Sequence, residues 1–98
     1  MRFDGGFTDI PSAGTRVQIS NTRDKVVWIK FQAPAGNTGL TYVGRSDVSS
    51  TNGYVLGAAG GVDATLEIDF RPMSEILSAF YVDAATSGDD VSWAVILE

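Results

Sequence analysis

Three segments of this chain alternate apolar and polar residues with a period of two, and that period suits a β-strand with one dry face and little else. Residues 25–32 carry the strongest pattern. Val27, Ile29 and Phe31 fall on one side and Val26, Trp28, Lys30 and Gln32 on the other, in a run rich in β-branched and aromatic residues. In residues 64–70, Leu66, Ile68 and Phe70 alternate with Thr65, Glu67 and Asp69; in residues 91–97 the dry side is Val91, Trp93, Val95 and Leu97. Shorter candidates at residues 15–20, 40–43, 54–56 and 80–83 are separated by turns rich in Gly, Asn and Asp. Roughly six to eight short strands at intervals of about ten residues predict an all-β chain, a single small antiparallel β-sandwich of jelly-roll or immunoglobulin-like kind. Residues 71–79 hold the one helical candidate, because Pro72 suits a first helical position and Met73, Ile76, Leu77 and Phe80 recur at spacings of three and four. It supports a turn or two at most. The chain's 98 residues suffice for one hydrophobic core and no second, and Ile29, Phe31, Leu66, Ile68, Trp93 and Val95 are its expected members.

Residues 1–14 follow neither period. Arg2, Phe3, Asp4, the pair Gly5-Gly6, Phe7, Pro11 and Gly14 mix chain breakers with isolated aromatics, which predicts an extended N-terminal arm ahead of a domain spanning residues 15–98. Scattered apolar groups cannot offset the backbone entropy of ordering such a segment, roughly 1–2 kcal/mol per residue. The arm is therefore expected to be mobile when free and to order on a partner, with Phe3 and Phe7 in pockets, Ile10 as a further apolar contact and Arg2 against an acidic rim. On this reading its removal leaves the domain's melting temperature unchanged. A second candidate surface is the face carrying Trp28 and Lys30, whose strand already has a fully apolar opposite side. An outward indole there reads as a protein interface or, with Tyr42 or Tyr54, as a sugar-stacking platform, and the alternative to both is a second packed layer over that face. The partner-binding candidates are thus Arg2, Phe3, Phe7, Ile10, Trp28 and Lys30.

Composition limits the chemistry. With no cysteine and no histidine, the chain lacks disulfides, thiolate nucleophiles, imidazole bases and the usual zinc ligands. Glycoside hydrolysis needs only two carboxylates, and Glu67 with Asp69 is the obvious pair, but both lie on the polar side of a strand, where solvated carboxylates are the default. Asp83, Asp89 and Asp90 around Gly88 offer hard oxygens to Ca²⁺, without the spacing of an EF-hand loop; turn chemistry, with carboxylates accepting backbone N–H groups, is the preferred reading. Residues 57–61 share only their glycines with a phosphate-binding loop and read as a turn. No catalytic residue, metal ligand or cofactor is expected. A net charge of −5 has the wrong sign for gripping nucleic acid, no apolar stretch is long enough to span a membrane, and Asp4 with two glycines interrupts any signal-like core. A small acidic module that acts by binding is the class that remains.

The segments APAGNTG at 33–39, YVG at 42–44, VSSTNGYVL at 48–56 and YVDAATSGDDV at 81–91 resemble small structural proteins from the virions of tailed bacteriophages. The resemblance covers about residues 15–97. It implies a compact β-sandwich attached to the phage particle, assembled in the host cytoplasm, with no catalytic residue to carry over. The expected function is a capsid decoration, or cement, protein that binds the major capsid protein and braces neighbouring shell subunits. A neck or tail accessory protein is the alternative within that class, and a carbohydrate-binding module the alternative outside it. The sequence leaves a monomer and a homo-oligomer both open, with a trimer favoured among oligomers.

Overall fold

The computed structural model describes residues 2–57 and 64–98, so most of the turn expected at residues 57–61 lies outside the described residues. The chain is all-β. Its strands are β1 (Arg2–Asp9), β2 (Val17–Gln18), β3 (Lys25–Gln32), β4 (Thr41–Gly44), β5 (Tyr54–Leu56), β6 (Thr65–Asp69), β7 (Glu75–Ile76), β8 (Tyr81–Ala84) and β9 (Asp90–Leu97). They form two antiparallel sheets, one ordered β1-β9-β3-β6 with β7 also on β3, the other β2-β8-β4-β5. Among the described residues the helical content is one 3₁₀ turn, Leu77–Ala79. Residues 71–79 thus give a single short turn; Glu75 and Ile76, expected within the helix, instead pair with Val26 and Lys25.

The sheets bury their facing sides against each other. Ile29, Phe31, Val91, Val95 and Leu97 of the first sheet meet Val43, Leu56, Val82 and Ala84 of the second in one core cluster. Phe80 closes it from the end of the 3₁₀ turn, its ring centroid 5.7 Å from that of Phe31 and 6.1 Å from that of Phe70. Each Val, Leu, Ile or Phe side chain among these contributes roughly 1.5–3 kcal/mol through burial. Leu66, Ile68 and Trp93 pack against this cluster but remain half-buried. For Leu66 and Ile68 the reason is position, since β6 is an edge strand beside a cleft of about 350 Å³ between the sheets.

Two expectations from the sequence need correction. Alternation places Val26 on the outer side of β3, yet it is fully buried in the core. Val26 stands opposite Leu97 while Trp28 stands opposite Ile96, so β3 has one extra residue, Val27, at a β-bulge. The bulge resets the alternation: Val26, Ile29 and Phe31 face the core, while Trp28, Lys30 and Gln32 face outward.

The second correction concerns residues 1–14. Arg2–Asp9 is extended, as expected, but it is no free arm: all eight residues pair with β9, from Arg2 opposite Leu97 to Asp9 opposite Asp90. Ile10, expected to bind a partner, is fully buried in the domain's own core. Its N–H donates to the Asp89 carbonyl at 3.0 Å and its carbonyl accepts the Gly88 N–H at 2.9 Å. Residues 2–10 therefore belong to the same sandwich as the rest of the described chain. The glycines that read as chain breakers allow close approach instead. A Cβ on Gly5 would lie 2.8 Å from the Trp93 carbonyl oxygen, and one on Gly6 would lie 3.0 Å from the Trp93 indole. Trp93 lies against this strand and donates its indole N–H to Thr8 Oγ1 at 3.2 Å.

Candidate functional site: an uncovered aromatic sheet face

Residues directly opposite in antiparallel strands point to the same side of a sheet, so the register defines the two faces of the first sheet. Opposite the core-facing residues of β9 stand Arg2, Asp4, Gly6 and Thr8; Phe3, Gly5, Phe7 and Asp9 take the outward side. Three outward rows follow. Phe3, Ile96, Trp28 and Asp69 form the first; Gly5, Ala94, Lys30 and Glu67 the second; Phe7, Ser92, Gln32 and Thr65 the third. Phe3 and Phe7 are 74% and 72% exposed, high values for aromatic rings within a sheet.

Of the six candidate residues, the fold thus gathers Phe3, Phe7, Trp28 and Lys30 on one face, although they lie on two strands, β1 and β3, that have β9 between them. Arg2 and Ile10 are separated from them. Arg2 takes the other side of β1, where its guanidinium lies 3.5 Å from Asp24, and Ile10 is in the core. Ile96 is the site residue that sequence reasoning missed. It is an apolar residue on the side of β9 otherwise occupied by Ser92 and Ala94, and that break in the alternation was the available signal.

Carboxylates fix the orientation of this face and set its charge. Glu67 accepts the Trp28 indole N–H at 3.0 Å, holding the ring across the β3–β6 boundary. Arg71 donates to both oxygens of Asp69 at 2.9 and 2.8 Å, and these hydrogen bonds pull the Asp69 pKa down to about 2. That shift runs opposite to what a general acid at neutral pH requires. At the other end, burial and the neighbouring Asp9 raise the pKa of Asp90, which sits directly across the ladder from Asp9. The aromatic patch therefore ends in an acidic pair.

Among the described residues the second sheet presents no comparable surface. Tyr42 and Asp83 point away from its core side, yet both are buried, because residues 13–14 and 49–50 gather over them. Asp83 accepts the N–H groups of Gly14 at 3.0 Å and Ala84 at 2.8 Å. Asp89 likewise accepts from the Thr38 and Gly39 N–H groups, both at 3.0 Å, so these aspartates do the turn work expected of them. Tyr54 lines the cleft between the sheets with Leu66, Ile68 and Phe70. Trp28, Tyr42 and Tyr54 accordingly occupy three different surfaces and do not combine into one stacking platform. Among the described residues, no group of three or more acidic side chains is placed to hold a metal ion, and no helix is long and apolar enough to cross a membrane.

No protein-family model matches this sequence, and neither a curated protein nor a solved structure is found to be similar to it.

Proposed function

We propose that this protein is a non-enzymatic structural component of a bacteriophage virion, a decoration protein that binds the outer shell and braces neighbouring capsid subunits. The observation that carries the reading is the uncovered outward face of the first sheet, where Phe3, Phe7, Trp28 and Ile96 share one surface. Burial of exposed aromatic rings is the usual source of binding energy at protein interfaces, and a rigid sheet pays little entropy to present them. The resemblance of about residues 15–97 to small virion proteins supplies the class of partner. The charge pattern adds an orientation: Lys30 lies within the patch and Asp9 with Asp90 at one end, so the shell surface should be apolar with a basic rim beside that end.

Copy number in purified virions, measured by quantitative mass spectrometry, tests the reading. Shell decoration requires a number in the hundreds, because it follows the repeats of the shell lattice; about a dozen or fewer places the protein in the neck or tail instead. In the same particles, replacing Phe3 and Trp28 together with Ala should weaken attachment by roughly 100-fold or more. Absence of the protein from virions, or undiminished attachment of the double variant, removes the proposal.

A further inference from the structure

Among the described residues the outer edge of β1 has no strand beside it: β1 ends the first sheet, and the strand across from it in the second sheet, β2, is two residues long. A long edge strand is normally protected by proline, lysine, a bulge or a covering segment, since its free N–H and C=O groups are a template for another strand. From Arg2 to Asp9 there is no proline, no lysine and no break in register with β9; the charges on the strand are Arg2, Asp4 and Asp9, and Asp4 Oδ1 accepts the Gly5 N–H at 2.8 Å, a local contact that an incoming strand would have to displace. Two rings more than 70% exposed stand beside this edge.

We infer that β1 pairs antiparallel with β1 of a second copy of this chain about a two-fold axis through Gly5, joining the first sheets of two molecules into one continuous sheet. The geometry of the strand selects both the partner and the register. A two-fold perpendicular to the sheet keeps outward faces outward, so only registers that set outward residues opposite outward residues are allowed. Of those centred on the strand, one brings Asp4 against Asp4 of the second copy, and repulsion between like charges excludes it. Another, centred on Gly6, sets Phe3 against Asp9 and leaves Phe7 opposite glycine. The register centred on Gly5 sets Phe3 against Phe7 of the second copy, twice by symmetry, and opposes no like charges. It also brings no side chain to the axis, because the residue there is glycine.

This register pairs Arg2 through Thr8 of both copies. Four phenylalanine rings at roughly 150–250 Å² each offer about 600–1,000 Å² of apolar surface. Only the flank of each ring that meets its partner is buried while the outer flank stays exposed, so the contact falls below the ~1,000 Å² at which stable interfaces begin and gives a weak, concentration-dependent dimer. The two outward faces then form one aromatic band running from Trp28 through Ile96 and Phe3 to Phe7 of the second copy. The inference does not depend on the protein belonging to a virion. It replaces the trimer favoured from sequence with a two-fold dimer, and it presents two docking faces side by side.

Sedimentation velocity over a concentration series tests it with the full chain. The wild type should show a monomer–dimer equilibrium. Combining Phe3→Lys with Phe7→Lys places like charges opposite each other twice and should weaken dimerisation at least ~100-fold. Combining Phe3→Glu with Phe7→Lys instead sets opposite charges across both pairs and should restore the dimer, in a salt-sensitive form. Both ring positions are solvent-exposed, so each variant should keep the far-UV circular dichroism and melting temperature of the monomer. The inference is overturned by a wild type that stays monomeric into the millimolar range or assembles as a trimer. It is equally overturned if the double-lysine variant still dimerises, or if the charge-paired variant is as dissociated as the double-lysine one.

Discussion

Asp9 and Asp90 face each other across the β1–β9 ladder, an arrangement that costs stability whenever both are ionised. Burial and the proximity of Asp9 raise the Asp90 pKa in the folded chain, so the native state holds a proton there that the unfolded chain has already released. The sign follows from linkage: stability falls as pH rises from the ordinary carboxylate range through the raised pKa of Asp90. Asp69 has the opposite sign. Its pKa is lowered to about 2 by hydrogen bonds from Arg71, so its contribution is present above the ordinary carboxylate value and is lost as pH falls toward 2. Asp9→Asn should therefore stabilise the domain at neutral pH and low salt, by about 0.2–1 kcal/mol, the scale of one cross-strand charge contact. The gain should shrink as pH drops through the raised pKa, because protonated Asp90 relieves the wild type as well. Urea unfolding at a series of pH values checks this, and a gain constant with pH would exclude the charge pair as its cause. The same two residues show how far single positions can be read: Asp90 suggests a turn from its neighbours Gly88 and Asp89, but nothing in the sequence near residue 90 points to residue 9.

At the scale of elements, β1 and residues 71–79 depart from their local sequence for the same reason. Each is organised by a strand distant in the chain. Gly5 and Gly6 lower the intrinsic strand preference of β1, and pairing with β9 together with insertion of Ile10 into the core compensates for it. Residues 71–79 have helical spacing over no more than two turns, too short to hold a helix without help; Glu75 and Ile76 gain backbone partners on β3 that a helix would forgo. Ile10→Ala should cost about 2–5 kcal/mol, since it empties a fully buried site. Deletion of residues 2–10 should be more severe, removing that anchor, an entire edge strand and the Thr8 contact with Trp93. Against a total stability of about 5–15 kcal/mol, the truncated chain should lose its cooperative thermal transition or melt far below the full-length protein. Equal melting temperatures would make β1 an appendage.

For the whole molecule, the governing fact is that the last strand lies between the first and the third, so the first sheet is complete only when both ends of the chain meet. Folds dominated by such distant pairings refold slowly, because loop-closure entropy is spent before the contacts form. Stopped-flow tryptophan fluorescence should show refolding in milliseconds to seconds; a microsecond phase carrying the full amplitude would contradict this topology. The period-two runs at residues 25–32, 64–70 and 91–97 were enough to determine an all-β sandwich, and Ile29, Phe31 and Val95 were legible as core because alternation is a local property of the chain. Local sequence also identified Phe3, Phe7, Trp28 and Lys30 as outward candidates, as single residues on separate segments. Only the tertiary structure decided that they share a face, because that depends on which strands become neighbours and in what register. The register in turn depends on a bulge at Val27 and on glycines that let β1 approach Trp93, and both become visible only when two strands are brought together.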